Sequence, residues 1–205
     1  MTFHTISTQN PLILASASPR RKRLLDQVRL PFRSMSSHVP EHGFSGDPAA
    51  ASLVLSEKKA RQVHPGIPNA WTLGADTIVY IGKKTLGKPK DAKEASHMLS
   101  LLSGREHRVI TGFCVLNPSG IVAHSEAVIT KVRIKELSVQ EIESYISTHE
   151  PYGKAGSYAI QGIGSFMVES ISGSYSNVVG LPLCALIKAL VSIGALENFP
   201  LPNNL

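Results

Sequence analysis

Two stretches of this chain carry residue types whose spacing could do chemistry. The first is Ser16-Ala17-Ser18-Pro19-Arg20-Arg21-Lys22-Arg23. Ser18 suits an N-cap and Pro19 a first helical position, so a helix should begin here. The start of a helix presents unpaired N–H groups and a partial positive charge, where acids are preferred and arginines are misplaced. An anion docking on Arg20 and Arg21 offsets that repulsion, and a phosphate is the natural ligand. Lys22 and Arg23 fit a solvated outer face at least as well. The Gly-x4-Gly-Lys-Ser/Thr spacing of a P-loop is absent. The second stretch is Gly74-Ala75-Asp76-Thr77-Ile78-Val79. A carboxylate inside the most apolar strand of the chain needs a cation or hydrogen-bond donors to meet it. Asp76 is therefore a metal ligand, a general base or one half of a buried salt bridge. Gly74 and Ala75 leave room for something to approach it.

Three further charges are candidates. Glu41 lies in a polar loop, Lys59 on a helix, and Lys88 in the turn Gly87-Lys88-Pro89, where the proline restricts the lysine's backbone. Taken singly, each residue of this kind is more often a surface charge. Gly162-Ile163-Gly164 is only a fragment of a dinucleotide fingerprint and carries no such function. The hydroxyl-rich run from Ser165 to Ser176 lacks a Gly-x-Ser-x-Gly elbow. The eight histidines form no His-Glu-x-x-His pattern and no Cys/His cluster, and are taken as ordinary polar residues.

The elements that must position these residues alternate. Leu12–Ala15 is a short buried strand, and the helix from Ser18-Pro19 runs to about Val28. Phe32–Met35 is a weak strand, and 36–46 is a loop. Asp47-Pro48 opens a second helix to about Val63. Trp71–Ile81 is the strongest strand signal. Asp91 with Glu94 resembles a capping box ahead of Ala95–Leu102, and Ser138 with Glu141 forms a cleaner one for a helix to about Ser147. His107–Leu116 and Ile121–Ile134 flank the turn Asn117-Pro118-Ser119-Gly120. Gly162–Ser170 is expected as a strand and Leu183–Leu196 as a C-terminal helix. The pattern predicts an α/β fold, a mixed sheet with a central hairpin flanked by helices. The turn-rich stretch Glu150–Ser157 could separate two lobes of a single domain, with 1–10 and 198–205 as peripheral tails.

Composition bounds the rest. The chain has 205 residues, 42% hydrophobic and 18% charged, which excludes a disordered or fibrous protein. Its net charge of +6 favours anionic partners. Cys114 and Cys184 make neither a disulfide framework nor a zinc cage and are expected as small buried core residues. No run reaches the roughly 20 apolar residues of a membrane span; Leu181–Leu196 is broken by Pro182 and Lys188. Leu12-Ile13-Leu14 is too short for the apolar core of a signal peptide, so a cytoplasmic location with no membrane partner is expected. Aromatic residues are 6% and are not interleaved with basic ones, so no nucleic-acid partner is expected.

Four motifs in order resemble the Maf nucleoside triphosphate pyrophosphatases. They are Leu12-Ile-Leu-Ala-Ser16-Ala-Ser18-Pro-Arg20-Arg21, Leu73-Gly-Ala-Asp76-Thr77-Ile-Val with Lys88-Pro89 after it, Ala155-Gly-Ser-Tyr-Ala-Ile-Gln161-Gly-Ile-Gly, and Gly173-Ser-Tyr-Ser-Asn177-Val-Val-Gly-Leu-Pro-Leu183. The resemblance implies a fold like that of inosine triphosphate pyrophosphatases, an elongated mixed sheet with a cleft between two lobes. It implies cleavage of a nucleoside triphosphate to the monophosphate and pyrophosphate with a divalent metal, Mg2+ or Mn2+. By the same resemblance Asp76 is the proton acceptor, and Glu41 and Asp76 are metal ligands. Ser16, Ser18, Arg20, Arg21, Lys59 and Lys88 are then substrate-binding. Arg20, Thr77 and Gln161 match the residue types of the dTTP- and UTP-directed members, so pyrimidine nucleoside triphosphates are the implied substrates. A glutamine amide, with one acceptor and two donors, suits the edge that uracil and thymine share. Family members are often dimers, which implies a homodimer, and the family's link to septum formation gives a regulatory binding role as the alternative. Gly87 stands where the family commonly carries Glu, which takes a carboxylate from the rim of the site. The loop Val39-Pro40-Glu41 is less acidic than usual.

Overall fold

The computed structural model describes residues 3–40, 46–67 and 69–201. In chain order the strands and helices are β1 (Leu12–Ala15), α1 (Pro19–Gln27), β2 (Phe32–Met35), α2 (Pro48–Val63), β3 (Thr72–Ile81), β4 (Lys84–Leu86), α3 (Ala92–Leu102), β5 (Glu106–Leu116), β6 (Val122–Ile134), α4 (Val139–Ser147), β7 (Val168–Ser172), α5 (Tyr175–Val179) and α6 (Leu183–Ser192). The strands form one seven-stranded mixed sheet ordered β2-β1-β3-β5-β6-β7, with β4 paired to β3. The α/β class with a mixed sheet and helices is the expected one. Contacts divide the chain into two compact units: 1–76, 111–128 and 180–205 form one, 77–110 and 129–179 the other. The boundaries fall within β3, β5 and β6 and at 179/180, not at Glu150–Ser157.

In the first unit, β1 pairs in parallel with β2 (Leu12↔Phe32 to Ala15↔Met35) and with β3 (Ile13↔Thr72, Leu14↔Leu73). All four residues of β1 are buried, as a central parallel strand requires. α2 begins where Asp47-Pro48 places it, the Asp47 carboxylate accepting from the N–H groups of Ala49 and Ala50. Its fully buried stripe is Ser52, Ser56 and Ala60, small residues four apart on one face. The two hydroxyls bond back to their own helix, Ser52 to the Ala49 carbonyl and Ser56 to the Leu53 carbonyl. The stripe lets α2 settle directly on the sheet. A Cβ at Gly74 would lie 2.0 Å from the Ser56 carbonyl oxygen, and one at Gly112 would lie 2.5 Å from the Ser52 carbonyl carbon. The segment 3–10 is anchored rather than trailing: Ile6 is buried, its N–H donates to the Ala195 carbonyl, and the Trp71 indole N–H donates to the His4 carbonyl.

In the second unit, Val79, Ile81, Met98, Leu99, Leu102 and Val132 are among the residues of one continuous core. The Ser138–Glu141 capping box on α4 is present. At α3 the box is offset: Asp91 accepts from the Glu94 N–H, but the Glu94 carboxylate accepts from the N–H of Lys90. Gly162–Ser170 is not one strand. Ile163–Met167 is a 3-10 turn, and β7 follows it. β4 and α5 lack a sequence signal of their own. Cys114 is buried, and burial raises its thiol to about 12. Cys184 is exposed at the start of α6, contrary to expectation, because it faces away from the buried Leu186, Ala189 and Leu190.

Candidate functional site

The N-terminus of α1 is built from β1 outward. The chain leaves β1 at Ser16, whose carbonyl accepts from the Ser34 hydroxyl at 2.7 Å, while the Ala15 carbonyl accepts from Ser37 at 3.2 Å. Ser18 occupies the N-cap position, but its side chain makes no capping bond. The turn is closed from the other side, with the Ser16 hydroxyl accepting from the Ser18 N–H at 3.2 Å. Arg21 is buried. Its Nε donates to the Gly180 carbonyl at 2.8 Å and its Nη1 to the Ser16 hydroxyl at 3.1 Å. Arg21 thus fixes the helix start against the chain that enters α6, in addition to its charge. Arg20 is half-buried, and burial lowers its guanidinium below the usual value. Arg23 is exposed and Lys22 half-buried.

Asp76 is buried, and its Oδ1 lies 2.6 Å from the Nζ of Lys59. The salt-bridge reading of Asp76 is therefore realised, and Lys59 is no surface charge. The reason lies in the sheet. Gly74 and Asp76 are two apart on one face of β3. The space at Gly74 is filled by the backbone of α2, not by a ligand. With Ser56 and Ala60 pressed on Gly74, Lys59 from the same helix turn reaches Asp76. The pairing Leu14↔Leu73 sets the C-terminal end of β1, and hence the start of α1, beside this part of β3. Carboxyl ends of parallel strands are where open α/β sheets bind ligands.

Thr77, Lys88 and Gln161 belong to the second unit. Thr77 is half-buried, and Lys88 and Gln161 are exposed. The turn that carries Lys88 is tied to the segment leading to Gln161, with the Gly156 N–H donating to the Gly87 carbonyl at 3.0 Å. Glu41 lies outside the described residues. Among the described residues no three His, Cys, Asp or Glu side chains gather as a metal cage.

Three residues of the second unit carry polar networks that no sequence motif marks. Glu150 Oε1 accepts from the Ile163 N–H at 3.0 Å, and Oε2 accepts from the Gly164 N–H and the Tyr145 hydroxyl, each at 2.8 Å. Burial raises the Glu150 carboxyl, but these hydrogen bonds and the Lys154 charge outweigh it, so its value sits below the ordinary one. Tyr145 is buried, and burial with the Glu150 carboxylate pushes its phenol up. The sequence signal is the glycine pair Gly162 and Gly164, spaced to let backbone close on a carboxylate. The third is His107, buried with its Nε2 2.8 Å from the Tyr158 hydroxyl, and burial holds it down to about 4. It is therefore not an ordinary polar surface histidine. A strand that begins Glu-His-Arg-Val, with alternate residues inward, is its only sequence signal.

The family model described as Maf, Maf-like protein, matches residues 11–193. A dTTP/UTP pyrophosphatase of Syntrophotalea carbinolica is 47% identical over 191 residues, 92% of this chain and 87% of that protein. One of Ruminiclostridium cellulolyticum is 48% identical over 174 residues, covering 84% and 90%. One of Citrifermentans bemidjiense is 47% identical over 188 residues, covering 91% and 97%. A solved nucleoside-triphosphatase / dITP/XTP pyrophosphatase from Mycobacterium abscessus matches 60% of this chain and 72% of its own at 13% identity and a TM-score of 0.37, too distant a likeness to carry fold or function. Among the described residues no helix is long and apolar enough to cross a membrane. The match across nearly the whole chain, and relatives this similar over most of their length, make this chain a member of the Maf family.

Proposed function

We propose that this protein is a nucleoside triphosphate pyrophosphatase acting on dTTP and UTP in the cytoplasm, as a homodimer. The observation that carries the reading is the buried Lys59–Asp76 pair on the sheet whose neighbouring strand end launches Arg20 and Arg21. The names of the relatives, dTTP/UTP pyrophosphatase, support the substrate class.

Water attacks the α-phosphorus, the bond to the bridging oxygen of the β-phosphate breaks, and pyrophosphate leaves. Asp76 orients that water and takes its proton, and its position beside an ammonium keeps the carboxylate in one place. Arg20, Arg21, Lys59 and Lys88, with the hydroxyls of Ser16 and Ser18, hold the triphosphate and the charge that develops on it. Thr77 and Gln161 select the base, Gln161 through an amide that complements the N–H and carbonyl of a uracil or thymine edge. The buried Asp76 carboxylate, one oxygen of which meets Lys59, suits a hard divalent cation, which takes one or two carboxylates and completes its shell with substrate phosphates and water. Asp76 and Glu41 would hold Mg2+ or Mn2+, and the cation supplies charge neutralisation on the phosphate oxygens. Gly87, with no carboxylate to offer, leaves that holding to fewer groups.

Incubation with each nucleoside triphosphate and magnesium, with pyrophosphate measured, tests the reading. Release from dTTP and UTP well above that from the purine nucleotides and CTP is expected. No release from any of them contradicts it.

A further inference from the structure

The stretch Ala159–Gly164 is gripped on both sides of Gln161. Ahead of it, the Ala159 N–H donates to the Tyr145 hydroxyl at 3.2 Å. Behind it, the Ile163 and Gly164 N–H groups donate to the two oxygens of Glu150 at 3.0 and 2.8 Å. The Tyr145 hydroxyl donates to Glu150 Oε2 at 2.8 Å, which joins the two grips into one network. The glycines are shaped to it: a Cβ at Gly162 would lie 1.8 Å from Glu150 Oε1, and one at Gly164 would lie 2.6 Å from the Tyr145 hydroxyl oxygen. Glu150 is itself fixed, its N–H donating to the Thr148 hydroxyl at 3.2 Å and its carbonyl accepting from Lys154 Nζ. Between the grips stands Gln161, exposed.

We infer that Glu150 and Tyr145 are positioning residues for base selection, holding the backbone on either side of Gln161 so that its amide is presented in one orientation. The inference rests on the reading of Gln161 as the base-selecting residue. An amide side chain left on a loose loop can turn its donor or its acceptor to either partner and accepts cytosine as readily as uracil. Held from both sides, it keeps one donor–acceptor order. Selectivity then depends on a carboxylate that does not touch the substrate.

Glu150→Gln is a near-isosteric test, because an amide cannot accept from the three donors that the carboxylate meets. It should lower the ratio of kcat/KM for UTP to that for CTP by about tenfold, mainly through a higher KM for UTP, with kcat within about threefold. Tyr145→Phe keeps the ring in the core, removes the hydroxyl and should lower the ratio by about threefold, so the test survives if Glu150→Gln fails to fold. Glu150→Asp, which keeps two acceptors and the charge, should recover part of the ratio. Glu150→Gln added to Gln161→Ala should lower the ratio no further than Gln161→Ala alone. A purely structural role would instead slow UTP and CTP alike. If Gln161→Ala removes the preference while Glu150→Gln and Tyr145→Phe keep it, the positioning role is overturned and the role of Gln161 stands. If Gln161→Ala itself keeps the preference, both are overturned.

Discussion

The ammonium of Lys59 lies 2.6 Å from Oδ1 of Asp76, with side-chain exposures of 6% and 7%. A pair so enclosed is held less by its own attraction than by the cost of leaving either charge alone. It binds α2 to β3 at the residue on which the proposed chemistry turns.

Lys59→Met should therefore cost about 3–5 kcal/mol of stability, because it strands the Asp76 carboxylate in the interior. Adding Asp76→Leu should recover much of that loss while leaving the protein inactive. Urea denaturation of the single and double variants measures both. A single variant within about 0.5 kcal/mol of wild type would show that water reaches the carboxylate.

Gly74→Ala places a methyl 2.0 Å from the Ser56 carbonyl oxygen, a backbone atom that cannot swing aside. α2 must lift from β3, and Lys59 with it. The expected loss is about 3 kcal/mol, accompanied by a fall in turnover out of proportion to the small side-chain change. Thermal melts and pyrophosphate release at a temperature where the variant is folded check it. Stability equal to wild type would contradict the close packing.

Arg20 and Arg21 should separate in their effects. Arg21→Lys loses the fork that reaches both the Gly180 carbonyl and Ser16, and should destabilise the fold by about 1–3 kcal/mol. Arg20→Lys should leave stability within about 0.5 kcal/mol of wild type and raise KM for dTTP. Equal stability losses would contradict the difference in their surroundings.

How far the sequence foretold this depends on how local each signal was. Asp47-Pro48 and the Ser138–Glu141 pair mark their helix starts because a cap is a bond between near neighbours. The buried partnership of Lys59 and Asp76 was not legible, because it depends on a helix and a strand meeting at Gly74. Gly162–Ser170 has the composition of a strand, yet Glu150 takes the N–H groups of Ile163 and Gly164, and the stretch opens as a 3-10 turn. Nothing in a lone histidine announces that Tyr158 will meet His107 in the core.

That histidine gives a pH dependence. Its value is held near 4 in the fold against about 6.5 unfolded, by burial. A lowered value contributes stability that is complete above about 6.5 and is lost as pH falls toward 4, because the unfolded chain then binds the proton more readily. The loss from this group amounts to up to about 3 kcal/mol. The urea midpoint should decline across that window, and His107→Gln should decline less steeply. An equal decline in both proteins would assign the effect to other groups.

The most direct measurement is pyrophosphate release from dTTP and UTP by Asp76→Asn beside wild type, with magnesium, at a temperature where circular dichroism shows both folded. A side chain that takes the proton from the attacking water contributes about 100-fold or more, so kcat should fall by at least about that factor. Turnover by Asp76→Asn close to that of wild type would contradict the assignment.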